Sequence, residues 1–245
     1  MKNVKKFKDL TELSEFAAKQ IISIGKKTIK ENDKFTLVLA GGNTPKVLYQ
    51  MLQSEDYREK LDWDKVFFFL GDERDVSPMS DQSNFRLINE SLFKSLKTPK
   101  SNILRWHTEI IKADEVADNY EKAIKKFFEL RNGEIPVFDL VLLGMGDDGH
   151  TASLFPATSA LSENNRITVS TWVEKYDSNR LTMTYPTINN AKNILVLVSG
   201  SEKAEMLNQV LNGDENFEKF PSQKIKPING KITWLVDEEA GEFID

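Results

Sequence analysis

The chain has 245 residues, with 33 Lys and Arg against 38 Asp and Glu, a formal net charge of -5 and no cysteine. These figures exclude disulfides, thiolate metal sites and a cysteine nucleophile, and they disfavour a nucleic-acid binder, which needs a strongly basic face. Residues 1–7 lack the apolar stretch of a secretory signal and no window approaches the ~20 apolar residues of a membrane span, so a cytoplasmic protein with no membrane or nucleic-acid partner is expected.

The early lysines (Lys2, Lys5, Lys6, Lys8, then Lys26, Lys27 and Lys30) read as solvated helix faces. Leu10, Leu13, Ala17, Ile21 and Ile24 recur at helical spacing and predict a helix over about 10–30. Residues 35–40 are short, apolar and β-branched and stop at Gly41-Gly42, the signature of a buried strand. Thr44-Pro45 then offers a capping hydroxyl followed by proline at the first helical position. A strand over 66–70 ends at Gly71, an Asp- and Ser-rich loop follows, and helices are expected over 84–96 and 113–131. Beyond them come a strand at 138–143, a strand pair at 167–173 and 181–185, a strand at 193–199 ending at Gly200, a helix over 201–211 and a last strand at 232–236. No linker, low-complexity tract or repeat divides the chain, so residues 1–245 are expected to form a single α/β domain.

Strands buried on both faces and separated by helices imply a mostly parallel sheet with helices covering both faces. In such sheets ligands bind beyond the carboxyl ends of the strands. Four predicted strands end in glycine-containing loops, and parallel strands would bring all four loops to one edge.

The first loop, Gly41-Gly42-Asn43-Thr44, leads into a helix N-terminus, which suits an anion; it reads equally as a plain tight turn. The second, Asp72-Glu73-Arg74-Asp75, has carboxylates for a polyol and a guanidinium for phosphate, and it reads also as a solvated acidic loop. The third runs from Gly144 to Pro156, with Gly146, Asp147, Asp148 and His150 inside it. Its G-x-G-x-x-G spacing is weak as a dinucleotide fingerprint, because no second unit presents a ribose-binding acid. His150 suits general-base work, since a neutral imidazole can take a proton from water near pH 7, with Asp147 or Asp148 orienting it. His107 lacks any such setting, and Ser153 has no evident base except His150. Capture of a hard cation by Asp72, Glu73, Asp147 and Asp148 has little support, and no metal site is expected. Lys203, expected in the first turn of a helix, opposes the helix dipole, and a bound anion would explain it. Arg180 reads either as a ligand contact or as a surface charge.

Taken together, these residues closely resemble the 6-phosphogluconolactonases of the pentose phosphate pathway, in the wider superfamily that includes glucosamine-6-phosphate deaminase. The resemblance runs in order through Gly41-Gly42-Asn43-Thr44-Pro45, Gly71-Asp72-Glu73-Arg74, Asp81-Gln82-Ser83-Asn84, Gly144 to Pro156, Arg180 to Thr184, Lys203-Ala204, Trp234 and Asp237. It implies a Rossmann-like α/β fold of the NagB/RpiA/CoA transferase-like class and hydrolysis of 6-phospho-D-glucono-1,5-lactone to 6-phospho-D-gluconate, without a cofactor. Carried over, His150 would be the general base, with Asp148 and Asp72 shaping the catalytic site. Gly41, Gly42, Asn43, Thr44, Arg74, Gly146, Arg180 and Lys203 would contact a small phosphosugar lactone. The deaminases place a glutamate shortly after the histidine, in a segment reading GHIAFNEP, and an aromatic residue where Arg74 stands. Here Leu154-Phe155-Pro156 replace that stretch, while Asn43 stands where lactonases more often have serine. The alternatives are a sugar-phosphate isomerase or deaminase, and a non-catalytic sugar-phosphate sensor. The sensor ranks low because a first strand near residue 35 leaves no segment ahead of it for a DNA-binding module. Oligomeric state stays open.

Overall fold

The apolar runs become the inner strands of one parallel sheet. The computed structural model describes residues 3–110 and 112–244, so Lys2 lies outside the described residues. Its strands are β1 (Asn3–Phe7), β2 (Phe35–Leu39), β3 (Val66–Leu70), β4 (Asp72–Arg74), β5 (Ile103–Leu104), β6 (Leu140–Gly144), β7 (Thr168–Val173), β8 (Ser178–Met183), β9 (Asn193–Val198) and β10 (Lys231–Asp237). Seven of them form a sheet in the order β1-β10-β9-β6-β2-β3-β5, and every adjacent pair is parallel. All five residues of β2 are buried, which is why the sequence shows a continuous apolar run there and no alternation.

The helices are α1 (Leu10–Asn32), α2 (Asn43–Leu52), α3 (Glu55–Arg58), α4 (Asn84–Ile88), α5 (Lys94–Leu96), α6 (Ala113–Phe128), α7 (Tyr185–Asn189) and α8 (Ala204–Asn212). The α1 helix starts where the Asp9 carboxylate accepts from the Thr11 and Glu12 backbone N–H groups, both at 2.9 Å. The expected helix over 84–96 is α4 and α5 joined by a π-helical turn, Asn89–Phe93. The α6 helix stops before residue 131 because Glu129 turns left-handed, at φ 54°, and the Leu130 N–H reaches back to the Lys125 carbonyl at 2.9 Å.

Several expectations are corrected. The first strand is β1, not the one near residue 35, and Lys5 and Lys6 are exposed on this edge strand rather than on a helix. Charge on an edge discourages further strand pairing. Asp72–Arg74 is a strand, not a loop; it pairs antiparallel with β8, which pairs with β7 to complete a three-stranded sheet. A three-residue charged strand has no apolar period to betray it. Thr44 is not a cap, since α2 already begins at Asn43 behind Gly42. Lys203 closes a 3₁₀ turn, Ser201–Lys203, ahead of α8 rather than lying in its first turn.

The sheet order creates the site. From β2 the chain moves outward through β3 and β5, then returns to place β6 on the other side of β2. At this switch point the connections after β2 and β6 leave in opposite directions and open a crevice beyond the carboxyl ends. The opposite end of the same pair is locked. Buried Asp139 accepts from the Thr36 N–H at 2.9 Å and hydroxyl at 2.8 Å, and from Lys192 Nζ at 2.8 Å. Among the described residues no helix is long and apolar enough to cross a membrane.

Candidate active site

A cavity of about 390 Å³ fills the crevice. Gly41, Gly42, Asn43 and Thr44 line it from the end of β2, Asp72 and Arg74 from β4, and Gly146 and His150 from the loop after β6. Arg180 comes from β8 and Lys203 from the turn before α8. Asp148 stands behind His150 rather than on the wall, and Asp147 is exposed beside Lys175.

The loop after β6 is shaped around the imidazole. The Gly146 N–H donates to the His150 carbonyl at 2.9 Å, and the Gly149 N–H to the Gly146 carbonyl at 3.2 Å. A Cβ on Gly146 would lie 2.1 Å from both Cε1 and Nδ1 of His150, so only glycine lets the ring lie against this backbone. Asp148 Oδ1 is 2.5 Å from His150 Nδ1 and also accepts the His150 backbone N–H at 3.2 Å. Burial opposes the Asp148 charge. The His150 ring, the His150 N–H and Lys175 outweigh it, holding the carboxyl well below the usual carboxylate range. An ionised carboxylate has no proton to give, so Nδ1 is the donor, and in the neutral imidazole Nε2 then carries the lone pair. Nε2 has no hydrogen-bond partner among the described residues. Phe155 stacks on the imidazole with centroids 3.9 Å apart.

The other carboxylates are committed elsewhere. Asp72 accepts from Ser153 Oγ at 2.7 Å and from Asn84 Nδ2 at 3.2 Å. Ser153 therefore gives its hydroxyl to Asp72 and not to His150. Glu73, 1% exposed, faces away and accepts from the Arg74, Asn84 and Phe85 N–H groups at 2.7–2.8 Å, which fastens the start of α4. Burial pushes this carboxyl up despite those bonds. The four acids weighed as a cation cage do not converge; among the described residues no three His, Asp or Glu side chains gather to hold a metal.

Positive charge collects on the facing wall. Arg74 and Arg180 stand opposite each other in the β4–β8 register, and neither they nor Lys203 form an ion pair among the described residues. Burial and the nearby Arg74 push Arg180 down from the ordinary guanidinium value, yet a guanidinium stays charged at neutral pH. Gly42, at φ 100°, stands at the N-cap of α2 and supplies no side-chain cap, which leaves the first N–H groups of the helix for a ligand. Asp237 holds the Gly200 loop by accepting from the Ser199 hydroxyl, the Gly200 N–H at 3.2 Å and the Ala240 N–H at 2.8 Å, and so places Lys203.

Asn84, Ser153, Phe155 and Tyr176 also line the cavity and were not read as site residues from sequence. Asn84 lies within the Asp81-Gln82-Ser83-Asn84 motif, which was a usable signal. Tyr176 gave none, because only the β7–β8 hairpin brings it to the pocket. His107 is exposed beside Glu109, away from the cavity.

The sequence model of the glucosamine-6-phosphate isomerase/6-phosphogluconolactonase family matches residues 8–234. A 6-phosphogluconolactonase from Synechocystis sp. is 40% identical over 217 residues, covering 88% of this chain and 87% of the relative. A 6-phosphogluconolactonase from Nostoc sp. is 38% identical, covering 98% and 97%. The solved 6-phosphogluconolactonase from Trypanosoma brucei superposes with a TM-score of 0.88 at 28% identity, covering 100% of this chain and 99% of that one. The chain belongs to this family, and its fold is that of the family.

Proposed function

We propose that this member of the glucosamine-6-phosphate isomerase/6-phosphogluconolactonase family hydrolyses 6-phospho-D-glucono-1,5-lactone to 6-phospho-D-gluconate, with His150 as the general base. The observation that carries this reading is His150, paired with Asp148 behind it, on one wall of a cavity whose other wall bears three cations without ion-pair partners among the described residues. Arg74, Arg180 and Lys203 are suited to a phosphate, which accepts forked guanidinium contacts and the point charge of an ammonium.

In the proposed reaction the Nε2 lone pair of His150 takes a proton from water as its oxygen bonds to the lactone carbonyl carbon. Asp148 steadies the imidazolium so formed, through the Nδ1 hydrogen bond. N–H groups at the start of α2 or in the glycine loops stabilise the developing oxyanion, an effect worth about 3–4 kcal/mol per donor in comparable sites. The intermediate collapses by breaking the bond from the carbonyl carbon to the ring oxygen. His150 returns its proton to that oxygen, and the product acid then ionises. Arg74 and the Phe155 ring, in place of an aromatic residue and a glutamate, favour lactone hydrolysis over deamination.

The lactone also hydrolyses unaided, so the test is the rate of loss of freshly generated lactone with wild type, with His150→Ala and without protein. Wild type should exceed the spontaneous rate, and His150→Ala should lose about 10²–10⁴-fold of that gain. An unchanged rate in the variant would sink the assignment of the base. Ammonia release from glucosamine 6-phosphate would transfer the chain to the deaminase reading.

A further inference from the structure

Arg180 is held in a place that opposes its charge. It is 8% exposed, and it faces Arg74 across two antiparallel strands. Like charges directly opposite on neighbouring strands repel. Among the described residues only Nη1 of the guanidinium donates, to Ser178 Oγ at 3.0 Å and the Asn179 carbonyl at 3.1 Å. The surface that meets the guanidinium is the ring of Tyr176, with Arg180 Cζ 4.7 Å from the ring centroid.

Tyr176 is itself braced. Its ring meets Phe155 edge-on at 5.5 Å and 71°, and Phe155 stacks on His150. The adjacent Lys175 reaches Asp147 and Asp148, each at 3.4 Å, which ties the 174–177 turn to the His150 loop. A run of contacts thus links the imidazole to the guanidinium through two aromatic rings.

We propose that Tyr176 is a positioning residue for substrate binding: its ring face holds the Arg180 guanidinium at the cavity, and Phe155 fixes that ring relative to His150. The proposal rests on the phosphosugar reading above. A guanidinium repelled by Arg74 and lacking this ring would turn toward solvent. The negative face of an aromatic ring attracts a cation without forming a salt bridge. It therefore steadies Arg180 while leaving its other N–H groups for an anion, which a carboxylate partner would not do.

The experiment compares wild type, Tyr176→Phe and Tyr176→Leu for lactone kinetics and for calorimetric binding of inorganic phosphate. Each variant is also tested in an Arg180→Ala background. Tyr176 is 43% exposed, so all variants are expected to melt near wild type. Tyr176→Phe keeps the ring and should stay within about twofold of wild type. Tyr176→Leu should raise both KM and the phosphate Kd about two- to thirty-fold, with a smaller change in kcat. Without Arg180 the leucine change should add no further loss. Unchanged binding in Tyr176→Leu, equal damage in Tyr176→Phe, or a full effect persisting without Arg180 would each overturn the proposal. If wild type does not turn over lactone, the functional reading fails, while the phosphate titrations still decide the role of Tyr176.

Discussion

Gly146→Ala separates the shape of the His150 loop from its stability. Gly146 is not among the residues at positive φ, so alanine meets no backbone strain there. The penalty is steric: the new methyl would lie 2.1 Å from Cε1 and Nδ1 of His150 and 3.0 Å from Asp148 Oδ1. Carbon atoms settle about 3.5 Å from their neighbours, so the imidazole must withdraw by roughly 1.4 Å. It cannot move that far and keep both the 2.5 Å bond to Asp148 and the 3.9 Å stack on Phe155. A displacement of about 1 Å at a reacting group costs on the order of 10²-fold in rate. His150 is a partly exposed side chain that can swing aside, so the fold should lose only about 1 kcal/mol. The assay is kcat for lactone hydrolysis, corrected for the spontaneous rate, alongside the melting temperature. A near-normal Tm with about a hundredfold lower kcat is expected. Activity within threefold of wild type would refute the claim that Gly146 is there to seat the imidazole.

Asp148→Asn should lower kcat about 10²–10⁴-fold with little change in KM, measured by the same lactone assay, because the amide no longer stabilises an imidazolium. The folded carboxyl lies below its ordinary value, so its contribution to stability is present above about pH 4 and is lost as pH falls toward the folded value. Urea titrations should therefore show a gap between wild type and variant that closes as the pH falls below about 4. Asp139→Ala lies at the other end of the sheet and should cost about 1–3 kcal/mol in urea unfolding, by orphaning the buried Thr36 N–H. Its kcat per folded molecule should match wild type, and a large loss would mean that the two ends of the sheet are coupled.

The inner parallel strands were legible because burial on both faces writes itself as a short run of apolar residues, as in β2 and β3. The four strand-end loops were legible for the same reason: once the strands run parallel, their glycine-bearing ends must meet. The edge strands β1, β4 and β5 were not. The β1 strand, with Lys5 and Lys6 adjacent between Val4 and Phe7, keeps no strict alternation on its partly wet edge, and β4 is three polar residues long. Their pairing is set by backbone partners distant in sequence, which no local pattern carries. The placement of Arg180 depends on β4 as well, since only the β4–β8 register brings it opposite Arg74. Side chains that act by contact, Phe155 on His150 and Tyr176 on Arg180, have no spacing signature at all.

What distinguishes chemistry within this pocket is which proton acceptors remain unengaged. Three carboxylates occur close to it, and each already accepts hydrogen bonds from the protein. Asp148 is bound to Nδ1 of His150, and Asp72 receives Ser153 on one oxygen and Asn84 on the other. Glu73 is turned onto the backbone N–H groups at the start of α4. An isomerisation or deamination must move a proton between carbon and oxygen or nitrogen, which calls for a base against the sugar carbons in addition to a proton donor. Beside the imidazole stands the Phe155 ring, which has no acidic proton to give. In the proposed reaction His150 Nε2 is the base that faces the cavity, and one base that takes a proton and then returns it suffices for adding water across an ester. On the proposed reading the cations on the facing wall bind and orient the phosphate, and water is the nucleophile.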